Sequence, residues 1–203
     1  MITLALDASS GAGSIAVFVG DRLAAEAQVP MGARSGDPFF PAVLDALGRA
    51  GTRPSLVARV LCGAGPGSFT SLRIVGAIAK GIAEGAGAAL LAMPSLALAV
   101  AADDTLAPGR YLVLADALRG ECFAQPFERL ADGSVRPLGP AERATSAALS
   151  DEAARGGLRL VGFSQALAIV PHARGALALE RGGGTHVVDV ATWEPDYGRL
   201  AEA

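Results

Sequence analysis

The chain has 203 residues, of which 51% are apolar but only 5% aromatic, so it can bury a sizeable core built from Ala, Val, Leu and Gly. The formal net charge is −3, and of 17 basic residues all but Lys80 are arginine. That balance excludes a broad phosphate-binding surface, so this chain alone is not expected to grip nucleic acid. Residues 2–8 read as a first strand, entered directly with no charged leader, so no signal peptide is expected. Ser9-Ser10-Gly11-Ala12-Gly13 is a tight connection to a second strand at 14–19, and Gly20-Asp21 turns the chain into a third at 23–29. Residues 30–36 form a polar loop. Asp37-Pro38 has the form of an N-cap followed by proline at the first helical position, which predicts a helix running to about Ala50 and ending at Gly51. Its apolar stripe is Phe39, Phe40, Val43, Leu44 and Leu47, with Asp45 and Arg49 paired on another side.

A buried strand at 56–62 and a helix at 70–84 follow, the latter with Leu72, Val75, Ala79 and Ile82 at helical spacing. Residues 88–92 make another strand, and Pro94 starts a helix that reaches Ala102. The apolar stretch 86–102 is interrupted by Gly87, Pro94 and Ser95 and is too short to span a bilayer. Three antiparallel strands followed by alternating helices and strands make a mixed α/β sheet. Cys62 and Cys122 sit in apolar runs and give neither a disulfide framework nor a metal spacing, which suits a reducing cytoplasm.

Between the 56–62 strand and its helix lies Gly63-Ala64-Gly65-Pro66-Gly67-Ser68-Phe69-Thr70-Ser71-Leu72-Arg73. Glycines here let the backbone approach another group closely, and the helix N-terminus behind them leaves N–H groups for an anion. The competing reading is a purely structural turn with Ser68 as N-cap. No Gly-Lys-Ser/Thr follows, so the loop is not a Walker A motif.

The second half repeats the opening. Val113-Leu114-Ala115-Asp116-Ala117-Leu118-Arg119-Gly120 can be laid over Leu4-Ala5-Leu6-Asp7-Ala8-Ser9-Ser10-Gly11, each an apolar strand ending in Asp-Ala-x-x-Gly and leading to another strand, the second at 122–127. Residues 158–162 then lead through Phe163-Ser164 into a helical segment, as the 56–62 strand leads into its glycine turn. Two lobes are expected, 1–102 and 103–203, joined by a linker at 103–110 and facing each other across a cleft.

Leu4-Ala5-Leu6-Asp7-Ala8-Ser9, Gly65-Pro66-Gly67-Ser68-Phe69-Thr70-Ser71-Leu72-Arg73-Ile74, Ala79-Lys80-Gly81 and Asp116-Ala117-Leu118-Arg119-Gly120-Glu121 resemble the bacterial TsaB (YeaZ) family, as does the tail Glu194-Pro195-Asp196-Tyr197-Gly198-Arg199. The resemblance implies a two-lobed actin-like ATPase (ASKHA, ribonuclease H-like) α/β fold with mixed sheets, its second lobe abbreviated here. It implies a cytoplasmic, non-catalytic scaffold that activates a TsaD-type catalytic subunit. With a TsaE-type ATPase, that pair installs threonylcarbamoyl on adenosine 37 of tRNA. Partners would be that catalytic subunit and ATPase, a second copy of the chain when the partner is absent, and tRNA only through the complex, with no membrane. No cofactor is required, and ATP or ADP would belong to the partner interface. The implied docking surface is Phe39, Phe40, Val43 and Leu47 on one helix with Leu72, Val75, Gly76, Ala79 and Lys80 on the next. Ala79→Arg is accordingly expected to abolish association with the fold intact. The chain departs from the family in lacking a His-Ser-Glu segment within 30–41 and in carrying Gly198 where leucine is common.

Candidate nucleotide or phosphate contacts are Asp7, Ser9 and Ser10 in the first turn, Gly65, Gly67 and Ser68 in the glycine loop, and Asp116 and Arg119 in the second turn. Asp7 and Asp116 occupy the positions where actin-like ATPases hold phosphates and Mg²⁺. Yet Leu118 is bulky where close phosphate approach favours glycine or a hydroxyl, and Asp7 can equally cap its own turn. The helix corresponding to a catalytic relative's His-x-x-x-His reads Asp37-Pro38-Phe39-Phe40-Pro41-Ala42-Val43, and the histidines, His172 and His186, have no ligand spacing. No catalytic residue and no metal site is therefore assigned. The rival readings are an independent actin-like ATPase or kinase, and a peptidase, for which no Ser-His-Asp pattern exists.

Overall fold

The computed structural model describes residues 1–31, 38–117, 119–162 and 170–197. β1 (Ile2–Asp7), β2 (Ala12–Val19) and β3 (Arg22–Pro30) form an antiparallel meander. α1 (Phe39–Arg49), β4 (Arg59–Gly63), α2 (Phe69–Ala86) and β5 (Ala89–Met93) follow, with β4 and β5 adding in parallel to β1. After α3 (Ala97–Ala101), a second sheet starts with the antiparallel pair β6 (Gly109–Asp116) and β7 (Glu121–Arg129). β8 (Val135–Pro137), β9 (Glu142–Thr145), α4 (Ser146–Gly156) and β10 (Arg159–Gly162) extend it, and α5 (Ala176–Arg181) and β11 (His186–Val188) close the chain. The sheet orders are β11-β5-β4-β1-β2-β3 and β10-β6-β7-β8, with β9 paired to β7. Among the described residues no helix is long and apolar enough to cross a membrane.

Side-chain alternation along the strands sorts the core into layers. Leu4, Leu6, Ile15 and Val17 face α1 and α2, where they meet Phe39, Val43, Leu47, Val75 and Ala79. Their neighbours Ala5, Ala16 and Phe18 point the other way, towards α3, α5 and the inner face of the second sheet, where Tyr111, Val113 and Phe127 lie. With both faces of β1 covered, its centre carries Leu4, Ala5 and Leu6 in succession instead of alternating with polar residues. On the outer side of β6, Leu112 and Leu114 pack with Leu149 and Ala153 of α4.

Several boundaries differ from expectation for local reasons. Pro54–Leu56 is a 3-10 turn, so the strand expected from Leu56 begins only at Arg59. Pro94 likewise opens a turn, its carbonyl accepting from Ala97 N at 3.1 Å, and α3 starts at Ala97. Pro30 still pairs with Ala12 and belongs to β3 instead of the loop. Pro38, not Asp37, stands at the N-cap of α1, without a side-chain cap; Asp37 lies outside the described residues. Ser68 occupies the N-cap position of α2, but its hydroxyl meets Ser71 Oγ at 3.0 Å in place of a backbone N–H. The Phe163-Ser164 segment, Leu118 and Gly198-Arg199 are outside the described residues. β11 pairs antiparallel with β5, so the end of the chain lies on the first sheet although it follows the second in sequence.

Candidate functional site

The turns after β1 and β6 face each other across a cleft of about 930 Å³. Ser9, Ser10, Gly67 and Ser68 line it from the first sheet; Asp116, Phe123 and Arg143 line it from the second. Phe69 and Tyr197, their rings 4.8 Å apart, flank it. Arg143 is already committed, its Nε donating to Glu121 Oε2 at 2.6 Å. Arg119 is exposed in a left-handed conformation at φ 56°, in the turn after β6.

Asp7 does not line the cleft. It is fully buried beneath it, where Oδ1 accepts from Ser9 N at 3.1 Å and Ser9 Oγ at 2.8 Å, an Asx-type turn of the kind aspartate makes at a strand end. Its Oδ2 has no hydrogen-bond partner among the described residues. A Cβ on Gly63 would run into that oxygen and into Ser95 Oγ, so glycine is required there. Burial pushes the Asp7 carboxyl above the usual carboxylate range, opposed in part by the Ser95 hydroxyl and by Ser9. Burial first, then the nearby Asp7, pushes the Cys62 thiol up as well, leaving it inert.

The glycine loop is used by the chain itself. Ser68 N donates to Ser9 O at 2.9 Å, and a Cβ on Gly67 would strike the Ser9 backbone. Gly65, at φ 94°, lies under Asp196, whose N donates to Ala64 O at 2.6 Å, and Gly65 N donates to Ser95 Oγ at 2.9 Å. The close approaches that these glycines permit are thus to neighbouring backbone. His172 caps a short turn, its Nδ1 accepting from Arg174 N at 3.1 Å while Nε2 stands 3.6 Å from Glu26 Oε2. Among the described residues no three His, Cys, Asp or Glu side chains gather closely enough to hold a metal ion.

The expected docking side chains are placed differently. Phe39, Val43, Leu47, Leu72, Val75 and Ala79 are each 0% exposed, and all but Leu72, which packs beside Gly65, belong to the core under α1 and α2. Gly76 is roofed by Pro195 and Trp193, and Lys80 Nζ donates to Ala191 O at 3.3 Å and Trp193 O at 3.0 Å. The chain's own tail therefore occupies that flank, and Phe40, at 45% exposure, is the member of the set left on the surface. The stripe expected to dock therefore faces the sheet. The surface that is open is a groove of about 630 Å³ beside it, formed by Phe40, Pro54, Ala77, Ile78, Gly81 and Gly85. Ala77, Gly81 and Gly85 recur at i, i+4, i+8, a spacing readable as a second small-residue face of α2.

Residues 37–157 match the family model described as TsaD: tRNA N6-adenosine threonylcarbamoyltransferase. No curated protein sequence matches the chain. Among solved structures, an uncharacterized Pseudomonas aeruginosa protein with similarity to peptidase YEAZ superposes with a TM-score of 0.80 at 25% identity, over 98% of this chain and 99% of that one. YeaZ from Pseudomonas aeruginosa superposes with a TM-score of 0.77 at 22% identity, over 97% and 100% of the two chains. Both likenesses extend over nearly the whole of each chain.

Proposed function

The chain belongs to the TsaD family, with the fold of its YeaZ (TsaB) members, and from that premise we propose that it is a non-catalytic subunit in the synthesis of N6-threonylcarbamoyladenosine on tRNA. In this reading it docks on and activates a TsaD-type catalytic subunit, with a TsaE-type ATPase joining them. Two copies of the chain pair through the same face when the partner is absent. It needs no cofactor of its own, and ATP or ADP belongs to the interface with the partner.

One observation carries the proposal: Asp7, the candidate phosphate contact of the first turn, is sealed beneath the cleft instead of lining it. Asp7 is fully buried with its Oδ1 taken up by Ser9, so it is not presented to a ligand in the cleft, and burial raises its carboxyl above the usual range. The charged side chains left on the described cleft wall are Asp116 and the ion-paired Arg143. A general acid–base pair with a nucleophile cannot be assembled from these. Meanwhile α1 and α2 present an open apolar groove, the kind of surface that a folded chain keeps for a partner.

Reconstituting tRNA threonylcarbamoylation from the catalytic subunit, with and without this chain, tests the reading. The expected result is strong dependence on the chain, and no ATP turnover by the chain alone. Equal modification in its absence, or brisk turnover by the isolated chain, would replace the proposal with the independent ATPase reading.

A further inference from the structure

A polar pocket of about 410 Å³ opens where the edge strand β3 meets α3 and the turn that leads into α5. Glu26 and Gln28 line it from β3, Asp103 from just after α3, and His172 and Arg174 from the turn before α5. Val170 stands in the walls of both this pocket and the cleft.

Two buried atoms that face each other here have no hydrogen bond among the described residues. His172 is 9% exposed, and its Nδ1 accepts from Arg174 N, so the proton of the neutral ring is on Nε2. Opposite it, Glu26 Oε2 is 3.6 Å away, beyond hydrogen-bond reach, and has no other partner. A donor and an acceptor buried in this way cost stability until something pairs with them. The rest of the Glu26 side chain is 40% exposed, and the last torsion of a glutamate is soft, so the carboxylate can turn to an incoming donor.

The charges on the wall decide what fits. Arg174 Nε donates to Ala102 O at 3.0 Å, which anchors the guanidinium and leaves its terminal nitrogens without a hydrogen bond among the described residues. Asp103 is held by Thr105, whose N and Oγ1 donate to Oδ1 at 2.9 and 2.6 Å. Two nearby arginines are already paired: Arg49, which donates to Glu26 O, with Asp45, and Arg129 with Asp104. Burial, and secondarily Arg174, hold the His172 imidazole in its neutral form against the pull of Glu26. The wall therefore carries two carboxylates against one guanidinium, an excess of one negative charge. A phosphate would meet that excess as repulsion, and a plain amine would leave Arg174 and the Nε2–H unmet. A ligand with both an ammonium and a carboxylate satisfies all four side chains. Its ammonium donates to Glu26 and Asp103, and its carboxylate accepts from Arg174 and His172 Nε2. An α-amino acid carries the two groups on one carbon, close enough together to serve a donor and an acceptor 3.6 Å apart.

We infer that this pocket binds a free α-amino acid. The residual negative charge favours a cationic side chain over an anionic one, and the pocket has room for a side chain beyond the zwitterion. The site is separate from the α1–α2 groove and independent of the docking role, so either can fail without the other.

The test is an amide NMR titration of the isolated, 15N-labelled chain with L-lysine, L-alanine and L-glutamate at millimolar concentrations. Saturable shifts are expected at Glu26, Gln28, Asp103 and Arg174, with Kd rising from lysine through alanine to glutamate by about tenfold in all. Propionate and ethylamine, each one half of the ligand, should give no saturable shift. Glu26→Gln and Arg174→Gln change exposed or half-exposed side chains, and each should weaken alanine binding about tenfold or more. Asp21→Asn, in the exposed turn before β3, is the control that should change nothing. Melting temperatures show that the variants fold; for any that does not, the wild-type ligand series decides alone. No saturable shift with lysine or alanine overturns the inference. Shifts matched by propionate or ethylamine also overturn it, because they report loose attraction to charge. Undiminished binding in the folded variants does the same, because the amino acid then sits elsewhere.

Discussion

Gly81→Arg should move stability and docking in opposite directions. Gly81 is exposed in the middle of α2, and nothing lies within 4 Å of where its Cβ would stand. Glycine costs about 0.8–1 kcal/mol relative to alanine inside a helix and arginine only a few tenths, so the isolated variant should gain about 0.6 kcal/mol. For a chain of this size that raises the melting temperature by about 2 °C. The new side chain, however, extends along the groove formed by Phe40, Ile78 and Ile82. A partner that covers this groove must desolvate a guanidinium without a matching acid, at a cost of about 2–4 kcal/mol. That corresponds to roughly 30- to 700-fold in Kd. Thermal unfolding of the isolated chain and calorimetric titration with the catalytic subunit read the two effects separately. Gly48→Ala, on the exposed side of α1 and outside the groove, is the control that should stabilise without touching affinity. A raised melting temperature with an unchanged Kd would refute the groove as the docking surface. A lowered melting temperature would refute the open space around Gly81.

Ala79→Arg should unfold the chain instead of merely blocking association, since Ala79 is 0% exposed between α2 and the sheet; a loss of more than about 3 kcal/mol is expected in urea titration. Asp7→Asn tests the raised carboxyl of the buried Asp7. With its native pKa raised, Asp7 binds its proton more tightly when folded, so its contribution is most favourable at acid pH and is lost as pH rises from the ordinary value of 3.8 through the native one. The amide mimics the protonated acid, so the variant should gain on the wild type as pH rises over that window, and parallel stability curves would contradict the assignment. His172 runs the other way: burial, and secondarily Arg174, push its imidazole below the ordinary 6.5, against an opposing pull from Glu26. The neutral form is favoured in the fold, so stability is full above 6.5 and declines as pH falls through it towards the native value. His172→Asn keeps an oxygen to accept from Arg174 N but should flatten this part of the melting-temperature profile, measured over about pH 5 to 8.

The opening of the fold is legible because its signals are local. The turn Gly20-Asp21 and the continuous apolar run of β1 place the meander within two residues of its observed ends. The glycine loop is legible as a tight strand-to-helix turn, and the Asp-Ala-x-x-Gly repeat identifies the second sheet. The outward face of α2 is not, because periodicity fixes that a helix has an apolar side but not how many neighbours cover it. Here the sheet takes Val75 and Ala79, the glycine loop takes Leu72, the tail takes Gly76 and Lys80, and the Ala77–Gly81–Gly85 side stays open. Tail residues 189–197 carry no helical or strand signal, so nothing local announces that they return to roof α2. The placement of Asp7 is equally non-local. An aspartate at a strand end reads the same whether it faces a ligand or its own turn, and Gly63 and Ser95, from β4 and the segment after β5, decide which.

The docking role proposed above requires a surface held in one piece, and the core joins the two sheets accordingly. Ala5, Phe18, Leu61 and Met93 of the first sheet and Tyr111, Val113 and Phe127 of the second share a single apolar cluster, with α3 and α5 between them. Buried polar links cross the same seam: Ala173 N donates to Ser14 Oγ at 3.0 Å, and Arg129 Nη1 to Val100 O at 2.8 Å. Arg59, whose Nε also donates to Thr3 Oγ1 at 2.8 Å, adds an ion pair to Glu180 of α5. A hinge motion that closed the cleft would have to part this cluster, exposing apolar area at about 25 cal/mol per Å² and stranding those donors. The residues that oppose such closure also hold the α1–α2 groove at a fixed position relative to the second sheet.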